Sequence, residues 1–469
     1  DEDDSTAGLT VDKQVKLEAG NSIQYRTCSW PKTAALLFSE YLSLAIMSFP
    51  YSYSVLGLVP GLILTIVVGG LVLYTSLIIW ELCLRHPEVK DVCDLGQILF
   101  WNWRPAWWLT GIMFILNNTF IQGLHCLVGA QYLSTMTGGA MCSVGFAAIM
   151  MLISWICSLP RTFSSLSRLA TVSAFFTFIS VILAAIFAAI EDHPGGATEA
   201  TYWPKMGHVK IYLFPPPGTS FVAAMNGFLN ISYTLIGQIT IPSFIAEMKE
   251  PRDFPKALWI VTVAEIILFS LVGGLVYGYT GSNYNTSPAF GSLGNPLYIK
   301  ISFSFMIPTL IFLGVLYASV SARFVFFRLF AGTRHMGNHT LVGWLSWAGI
   351  LAVTWILAFI IAEIIPFFND LLSLLSSLFD SFFGWIFWGV AYIRMRNADY
   401  GPGWYKCRGW RGVVGAVVNV IIVGVGFLFL TAGTYTSVAS IVLGYQTTGF
   451  GGAFSCAANG LVLGAKGGS

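Results

Sequence analysis

Four ionisable side chains lie within stretches of sequence that are otherwise apolar: Glu40, His125, Glu265 and Asp380. Charged groups in lipid are costly, so such residues are by default candidates for function. A buried carboxyl group that gains and loses a proton supplies what proton coupling requires. Glu40 and Asp380 are our candidates for coupling or gating. Glu40 lies only about two turns from Lys32, which leaves a role in a cytoplasmic gate open, and packing is the simpler interpretation of His125.

Two apolar segments carry residues that interrupt a helix. Pro50 lacks a backbone N–H, so carbonyls near Ile46 lose their helical partner. A second segment, between Gly227 and Pro242, is unusually polar and rich in glycine. Free backbone groups are tolerated at membrane depth only where they line a cavity or meet other protein. The ends of half-helices bind a carboxylate or an ammonium, and an amino acid zwitterion presents both. A simple kink at Pro50 and close packing in the second segment form the alternative interpretation.

Hydroxyl, amide and aromatic side chains surround both interruptions. Our candidates for substrate binding are Ser48, Phe49, Tyr51, Ser52, Asn230, Ser232 and Tyr233. Hydrogen bonding between helices is the alternative role of the polar members. The sequence has no His-Glu-x-x-His, Gly-x-Ser-x-Gly or nucleotide-binding motif, and its eight cysteines show no metal-ligand spacing. It therefore predicts no catalytic residues, no metal site and no cofactor other than a coupling ion.

The elements that carry these residues are apolar and long. The chain of 469 residues is 56% hydrophobic and 10% charged, with a mean hydropathy of +0.73, whereas soluble domains have about 25% charged residues. The net charge of +2 gives no reason to expect nucleic acid as a partner.

A helix that spans a bilayer needs about 20 apolar residues. The sequence predicts an all-α polytopic membrane protein, partnered by the lipid bilayer, with eleven helices at about 33–57, 59–83, 106–135, 141–159, 164–190, 220–246, 257–280, 298–322, 340–362, 366–393 and 412–441.

The Lys and Arg residues indicate the orientation of these helices. Of 24 such residues, 20 fall on the side of the amino terminus and 4 on the other, and loops rich in Lys and Arg stay in the cytoplasm. We therefore expect a disordered cytoplasmic tail at 1–32, a transmembrane domain at 33–441 and an extracellular tail at 442–469. Asn285 is the candidate for glycosylation because its sequon faces outside. Cys142 and Cys456 also face outside, so a bridge between them remains open.

Three motifs, in the same order, resemble those of the amino acid/auxin permease family. Ile46–Tyr51 with Gly57 resembles the first helix of that family, Ile241–Pro251 the exit of its sixth helix, and Pro366–Leu372 the start of its tenth. The sequence of Glu247–Ala257 is similar to that of the fungal neutral amino acid permeases of the N-system type. The resemblance covers residues from about 30 to 440.

The resemblance implies a fold and an activity. It implies two inverted repeats of five helices, as in the bacterial leucine transporter, at about 33–190 and 220–393, with helix 11 at about 412–441. It also implies import of neutral amino acids, aliphatic and aromatic, by proton symport with alternating access, and a place in the plasma membrane. A vacuolar exporter of the same family and an amino acid sensor that transports nothing are the alternatives.

The coupling ion has two candidates within this fold. In sodium-coupled members, carbonyls of helix 1 and hydroxyls of helix 8 hold the ion, and Ser319 and Ser321 offer hydroxyls here. In some proton-coupled relatives a basic side chain of helix 5 takes that place, and Arg168 occupies the matching position, unless it is only an anchor at the cytoplasmic surface. The resemblance favours the proton. The two glycines of the family's first helix align with Ser43 and Ala45, and side chains at these positions make unwinding harder.

Overall fold

The computed structural model describes residues 28–89, 91–161, 163–195, 209–333, 335, 339–447, 452–456 and 460–461, without the side chains of 163–168 and 447. Nearly all of these residues are helical. In chain order the helices are α1 Trp30–Tyr41, α2 Phe49–Leu56, α3 Leu58–Arg85, α4 Val92–Leu99, α5 Arg104–Thr137, α6 Ser143–Ser158, α7 Phe163–Ile190, α8 Phe221–Leu235, α9 Ile241–Glu247, α10 Phe254–Thr280, α11 Pro296–Ser304, α12 Ile307–Leu329, α13 Leu341–Ile364, α14 Phe368–Tyr400, α15 Trp404–Cys407 and α16 Gly409–Gln446.

Each of the eleven predicted segments coincides with one of these helices or with a consecutive pair. Among the described residues, eight helices are long and apolar enough to cross a bilayer, and α1 with the stretch Leu44–Leu56 makes a ninth span, bent by 41°. The two other segments correspond to α6, of 16 residues, and to α8 with α9, of 15 and 7 residues. An all-helical polytopic membrane protein is therefore confirmed, while the number of eleven crossings stays a prediction.

The helices differ in how much of their surface faces other helices. In α14 89% of the most apolar stretch is buried inside the protein, against 22% in α16, so α14 is central and α16 peripheral. Lipid supplies no hydrophobic force between helices, so small residues that permit close approach hold such bundles together. A Cβ on Gly426 of α16 would lie 2.7 Å from the carbonyl oxygen of Ser381 in α14.

The predicted segments differ from the structure in several places. The segment at 298–322 is split into α11 and α12, because Pro308 stands in the first turn of α12, where its missing N–H is not needed. α12 also continues past Arg323, whose guanidinium donates to the Arg161 carbonyl over 3.4 Å. The short helix α4 was not predicted, although Asp91 is a regular N-cap that accepts from the N–H groups of Cys93 and Asp94.

Four charged side chains join the ends of α3 and α14. Arg85 of α3 lies 2.6 Å from Glu81 and 2.6 Å from Asp399 of α14, and Arg396 of α14 lies 2.5 Å from Glu81 and 3.0 Å from Asp399. Isolated pairs at a surface contribute little, but each of these charges has two partners of opposite sign. The cluster therefore fixes the position of α3 against the central helix.

The two predicted tails lie only partly within the described residues. Residues 1–27 lie outside them, while Cys28 forms a parallel bridge with Met248 and α1 begins at Trp30. At the other end a disulfide joins Cys142 to Cys456, which realises the bridge that the sequence left open. Ser143 Oγ donates to the Ser455 carbonyl over 3.0 Å beside this bond. Two bonded cysteines lie on one side of a membrane, so the chain between them crosses it an even number of times.

The disulfide predicts a specific peptide. Digestion of the unreduced protein after alkylation of its free thiols should release a peptide pair that contains Cys142 and Cys456, visible by mass spectrometry and absent after reduction. Cys142→Ala should lower the midpoint of thermal unfolding, since lost disulfides typically cost about 2–4 kcal/mol. Cys157→Ala, at an exposed free cysteine, is the control and should leave the midpoint unchanged. Equal midpoints for both variants would contradict a stabilising role of the bond.

Candidate functional site

The first interruption lies at Leu42 and Ser43 rather than at Pro50. α1 ends at Tyr41, a 3-10 helix covers Leu44–Ser48, and Pro50 stands in the first turn of α2, where no hydrogen bond is lost. The location predicted from Pro50 is therefore wrong by about two turns. Ser43 is extended and its hydroxyl accepts from the Ala45 N–H over 3.2 Å, so a serine side chain replaces the helical partner.

The second interruption separates α8 from α9. The stretch Ile236–Thr240 is not helical, and Pro242 again stands in a first turn. Within the described part of the chain, no hydrogen bond reaches the carbonyl groups of Thr234, Leu235 and Ile236. The N–H groups of Leu44, Gly237, Gln238 and Ile239 likewise donate to no described residue. Both kinds of backbone group thus remain available to a ligand.

The two interruptions touch each other. Thr234 Oγ1, which donates to the Asn230 carbonyl of its own helix over 2.8 Å, lies 3.4 Å from the Ala45 carbonyl. Thr240 Oγ1 donates to Glu40 Oε2 over 3.0 Å. Gly237 lies against the ring of Tyr41, and a Cβ at this position would be 1.9 Å from Cε1 of that ring. Only glycine permits this approach, so Gly237 sets the distance between the broken helices.

A cavity of about 50 Å³ lies beside the contact between the broken helices. Five parts of the chain form its wall: the end of α1 with the following turn, α5, the stretch around the second interruption, α12 and α14. Its polar side chains are Glu40, Tyr41, Ser43, Asn117, His125, Tyr233, Thr234, Gln238, Tyr317 and Asp380. Its apolar side chains include Ile121, Leu124, Ile236, Leu313 and Phe383.

The charge of this cavity is one-sided. Glu40 and Asp380 contribute carboxyl groups, and no Lys or Arg among the described residues lines the wall. Both oxygens of Glu40 accept hydrogen bonds, from Tyr317 over 2.9 Å and from Thr240 over 3.0 Å. His125 Nδ1 lies 2.8 Å from the Ile121 carbonyl of its own helix, and the residue lines the cavity. Glu265 is buried close enough to Glu40 for their charged forms to repel, but it does not line the cavity.

Of the seven candidates for substrate binding, Tyr233 alone lines the cavity. The other six lie on the Pro50 side of the interruptions, where the halves α2 and α8 pack together. Ser48 donates to the Ala45 carbonyl over 2.7 Å, Phe49 packs against Phe269 at 5.3 Å between centroids, and Asn230 donates to Asn369 over 2.5 Å. The hydroxyls of Ser52 and Ser232 are buried without a described partner, and Tyr51 is half-buried. Their roles stay predictions.

The candidates for coupling and modification are dispersed. Ser321 Oγ accepts from Asn118 over 3.0 Å, Ser319 is buried with an unpartnered hydroxyl among the described residues, and neither lines the cavity. The side chain of Arg168 lies outside the described part of the chain. Asn285 is half-buried and its side-chain amide donates to the Gly281 carbonyl. Of the candidates whose side chains are described, only Glu40 and Asp380 line the cavity.

Sequence analysis missed several residues of this wall, among them Tyr41, Gln238 and Tyr317. It also missed Thr240, which does not line the cavity but donates to Glu40. Tyr41 is next to Glu40 in the sequence, and Tyr317 places a hydroxyl group within an apolar segment. Both residues could therefore have been chosen as candidates from the sequence. Thr240 and Gln238 became visible only when the interruption itself was located.

Two broken helices that meet at a buried cavity within a polytopic bundle define a membrane transporter of small molecules. Comparison with known proteins agrees. Residues 26–439 match the family described as transmembrane amino acid transporter protein, and the chain belongs to that family. It is 28% identical over 457 residues to the N amino acid transport system protein of Neurospora crassa, covering 96% of this chain and 92% of that protein. It is also 28% identical to transmembrane transporters of Gibberella moniliformis and Fusarium pseudograminearum, covering 95% of this chain and 91% and 90% of theirs.

The contact between Gly237 and Tyr41 predicts a sensitive position. Gly237→Ala should lower amino acid uptake into proteoliposomes by about tenfold, because the added methyl group overlaps the buried ring and overpacking costs about 1–3 kcal/mol. Gly278→Ala on α10 is the matched control, since nothing lies within 4 Å of a Cβ there. Equal uptake by the two variants would show that the broken helices are not in close contact during transport.

Proposed function

We propose that this chain imports neutral amino acids, aliphatic and aromatic, by proton symport with alternating access. The observation that carries the proposal is the pair of adjacent interruptions, which present free N–H and carbonyl groups at one cavity. The family membership and the similarity to a protein named as an amino acid transport system support an amino acid as the substrate.

The backbone accounts for recognition of the zwitterion. The unpaired N–H of Leu44 stands at the positive end of the stretch Leu44–Leu56 and suits a carboxylate. The free carbonyls at the end of α8 suit an ammonium. Apolar side chains such as Ile121, Leu124 and Phe383 share the cavity and suit an uncharged substrate side chain.

Glu40 is the proton-binding residue of this proposal. A buried carboxylate is stable only while its charge is compensated, and no Lys or Arg among the described residues lines the cavity. Binding of a proton therefore removes the energetic cost of the buried charge. It also changes how many hydrogen bonds the Glu40 carboxyl group can accept from Tyr317 and Thr240. These partners belong to α12 and to the second interruption, so the proton alters contacts between parts that move in alternating access. Ser321 is engaged by Asn118, which favours the proton over sodium.

The proposal includes the topology. All eleven segments cross the membrane, in two inverted repeats and a last helix, with a cytoplasmic amino terminus and an extracellular carboxyl terminus at the plasma membrane. The distribution of Lys and Arg supports this orientation. The Cys142–Cys456 disulfide supports the count, because the predicted topology places eight crossings between these residues.

Transport in proteoliposomes tests the proposal. An inward proton gradient should drive accumulation of radiolabelled neutral amino acids, and an inward sodium gradient should not. Glu40→Gln should abolish accumulation driven by the proton gradient, because glutamine cannot carry the proton, and should retain exchange of internal for external amino acid.

Three results would contradict it. Accumulation driven by sodium alone would move the coupling ion to the serines of α12. If the proton gradient still drives accumulation in Glu40→Gln, Glu40 is not the coupling residue. Binding of amino acids without movement under either gradient would identify a sensor.

A further inference from the structure

Asp380 is the one carboxyl group of the cavity wall that the proposed transport cycle leaves unused. It lies in the π-helix Ser376–Ile386 within α14 and is 7% exposed. Its Oδ2 is buried and accepts no hydrogen bond of regular distance and angle from a described residue, although the Ser376 hydroxyl, one turn earlier on the helix, lies close to the carboxyl group. π-helical turns are rare and are frequently found at functional sites.

Three other buried carboxyl groups differ from Asp380. Glu265 also has a buried oxygen without a described partner, but it does not line the cavity. Glu40 lines the same cavity, but both of its oxygens accept hydrogen bonds. Asp370 lies on the same helix and is also 7% exposed, yet its Oδ1 accepts from Ser440 over 2.7 Å and it does not line the cavity. A buried carboxylate oxygen without a partner is costly, so the cavity side of Asp380 requires a donor from elsewhere.

Asp380 lies beside the carboxyl-terminal end of α8. Asp380 and Tyr233, in the last turn of α8, line the same cavity, and Gly384, one turn further along α14, would place a Cβ 2.9 Å from the Ile236 side chain. The free carbonyls at this end of α8 carry the negative partial charge of the helix dipole. The carboxyl group of Asp380 and this partial negative charge thus lie at the same cavity, and no described Lys or Arg in the wall compensates them.

We propose that Asp380 is the counterion of the substrate's α-ammonium group, which it holds together with the carbonyls of Thr234, Leu235 and Ile236. The inference rests on the proposed function in that the cavity must bind an amino acid. A carboxylate adds a charge-assisted hydrogen bond to what neutral carbonyls supply. It also makes the site reject molecules that lack the charge, because they leave Asp380 buried and unpaired.

The test compares L-leucine with its α-hydroxy analogue, in which an uncharged hydroxyl replaces the ammonium. Binding of both is measured on purified protein by competition against a radiolabelled neutral amino acid, which requires no transport. The wild type should prefer leucine by at least about a hundredfold. Asp380→Asn should reduce this preference by about tenfold or more, and Asp370→Asn, the matched control on the same helix, should keep it.

Three other outcomes overturn the proposal. A wild-type protein that binds both compounds equally well shows, without any variant, that no counterion is present. An unchanged preference in folded Asp380→Asn assigns the residue to packing or to the proton. Failure of every amino acid to bind would show that amino acids are not the substrate. Binding with the expected preference but without transport would contradict only the proposed function, and normal transport with no preference would contradict only the role of Asp380.

Discussion

The hydrogen bonds to Glu40 connect the parts of the molecule on which the cavity depends. One carboxyl group accepts from Tyr317 of α12 and from Thr240 at the second interruption, while the residue itself belongs to α1. In a bilayer no hydrophobic force draws these elements together, so polar contacts and close packing fix their arrangement. The cavity lies where three parts of the chain converge on this group, and its position follows from theirs.

The unwound backbone exists only because other groups replace its hydrogen bonds. Ser43 supplies a hydroxyl acceptor to Ala45, the Thr234 hydroxyl lies 3.4 Å from the carbonyl of Ala45, and Gly237 leaves room for Tyr41. These contacts occupy some backbone groups and leave others free. The pattern of occupied and free groups determines where a ligand with one carboxylate and one ammonium fits, before any side chain selects among substrates.

The helices were predictable and the cavity was not. Apolar stretches of about 20 residues have one stable conformation in a membrane, which explains why α3, α5 and α13 coincide with their predicted segments. Pro50 is compatible with an interruption inside a helix and with the first turn of a new one, and sequence does not distinguish them. The predicted interruption at Pro50 placed candidates for substrate binding on α2 instead of the Ser43 turn. Glu40 and Asp380 were found because a carboxyl group in an apolar segment is conspicuous whatever the local geometry.

The bridge between Cys28 and Met248 has a mechanical consequence. The Cys28 N–H donates to the Glu247 carbonyl over 3.1 Å, and the Lys249 N–H donates to the Cys28 carbonyl over 2.9 Å, so the entry to α1 is fastened to the exit of α9. Together with the contact between Gly237 and Tyr41, these hydrogen bonds join the two broken helices at two points. A displacement of the start of α1 at Cys28 therefore also displaces the end of α9, without passing through the cavity.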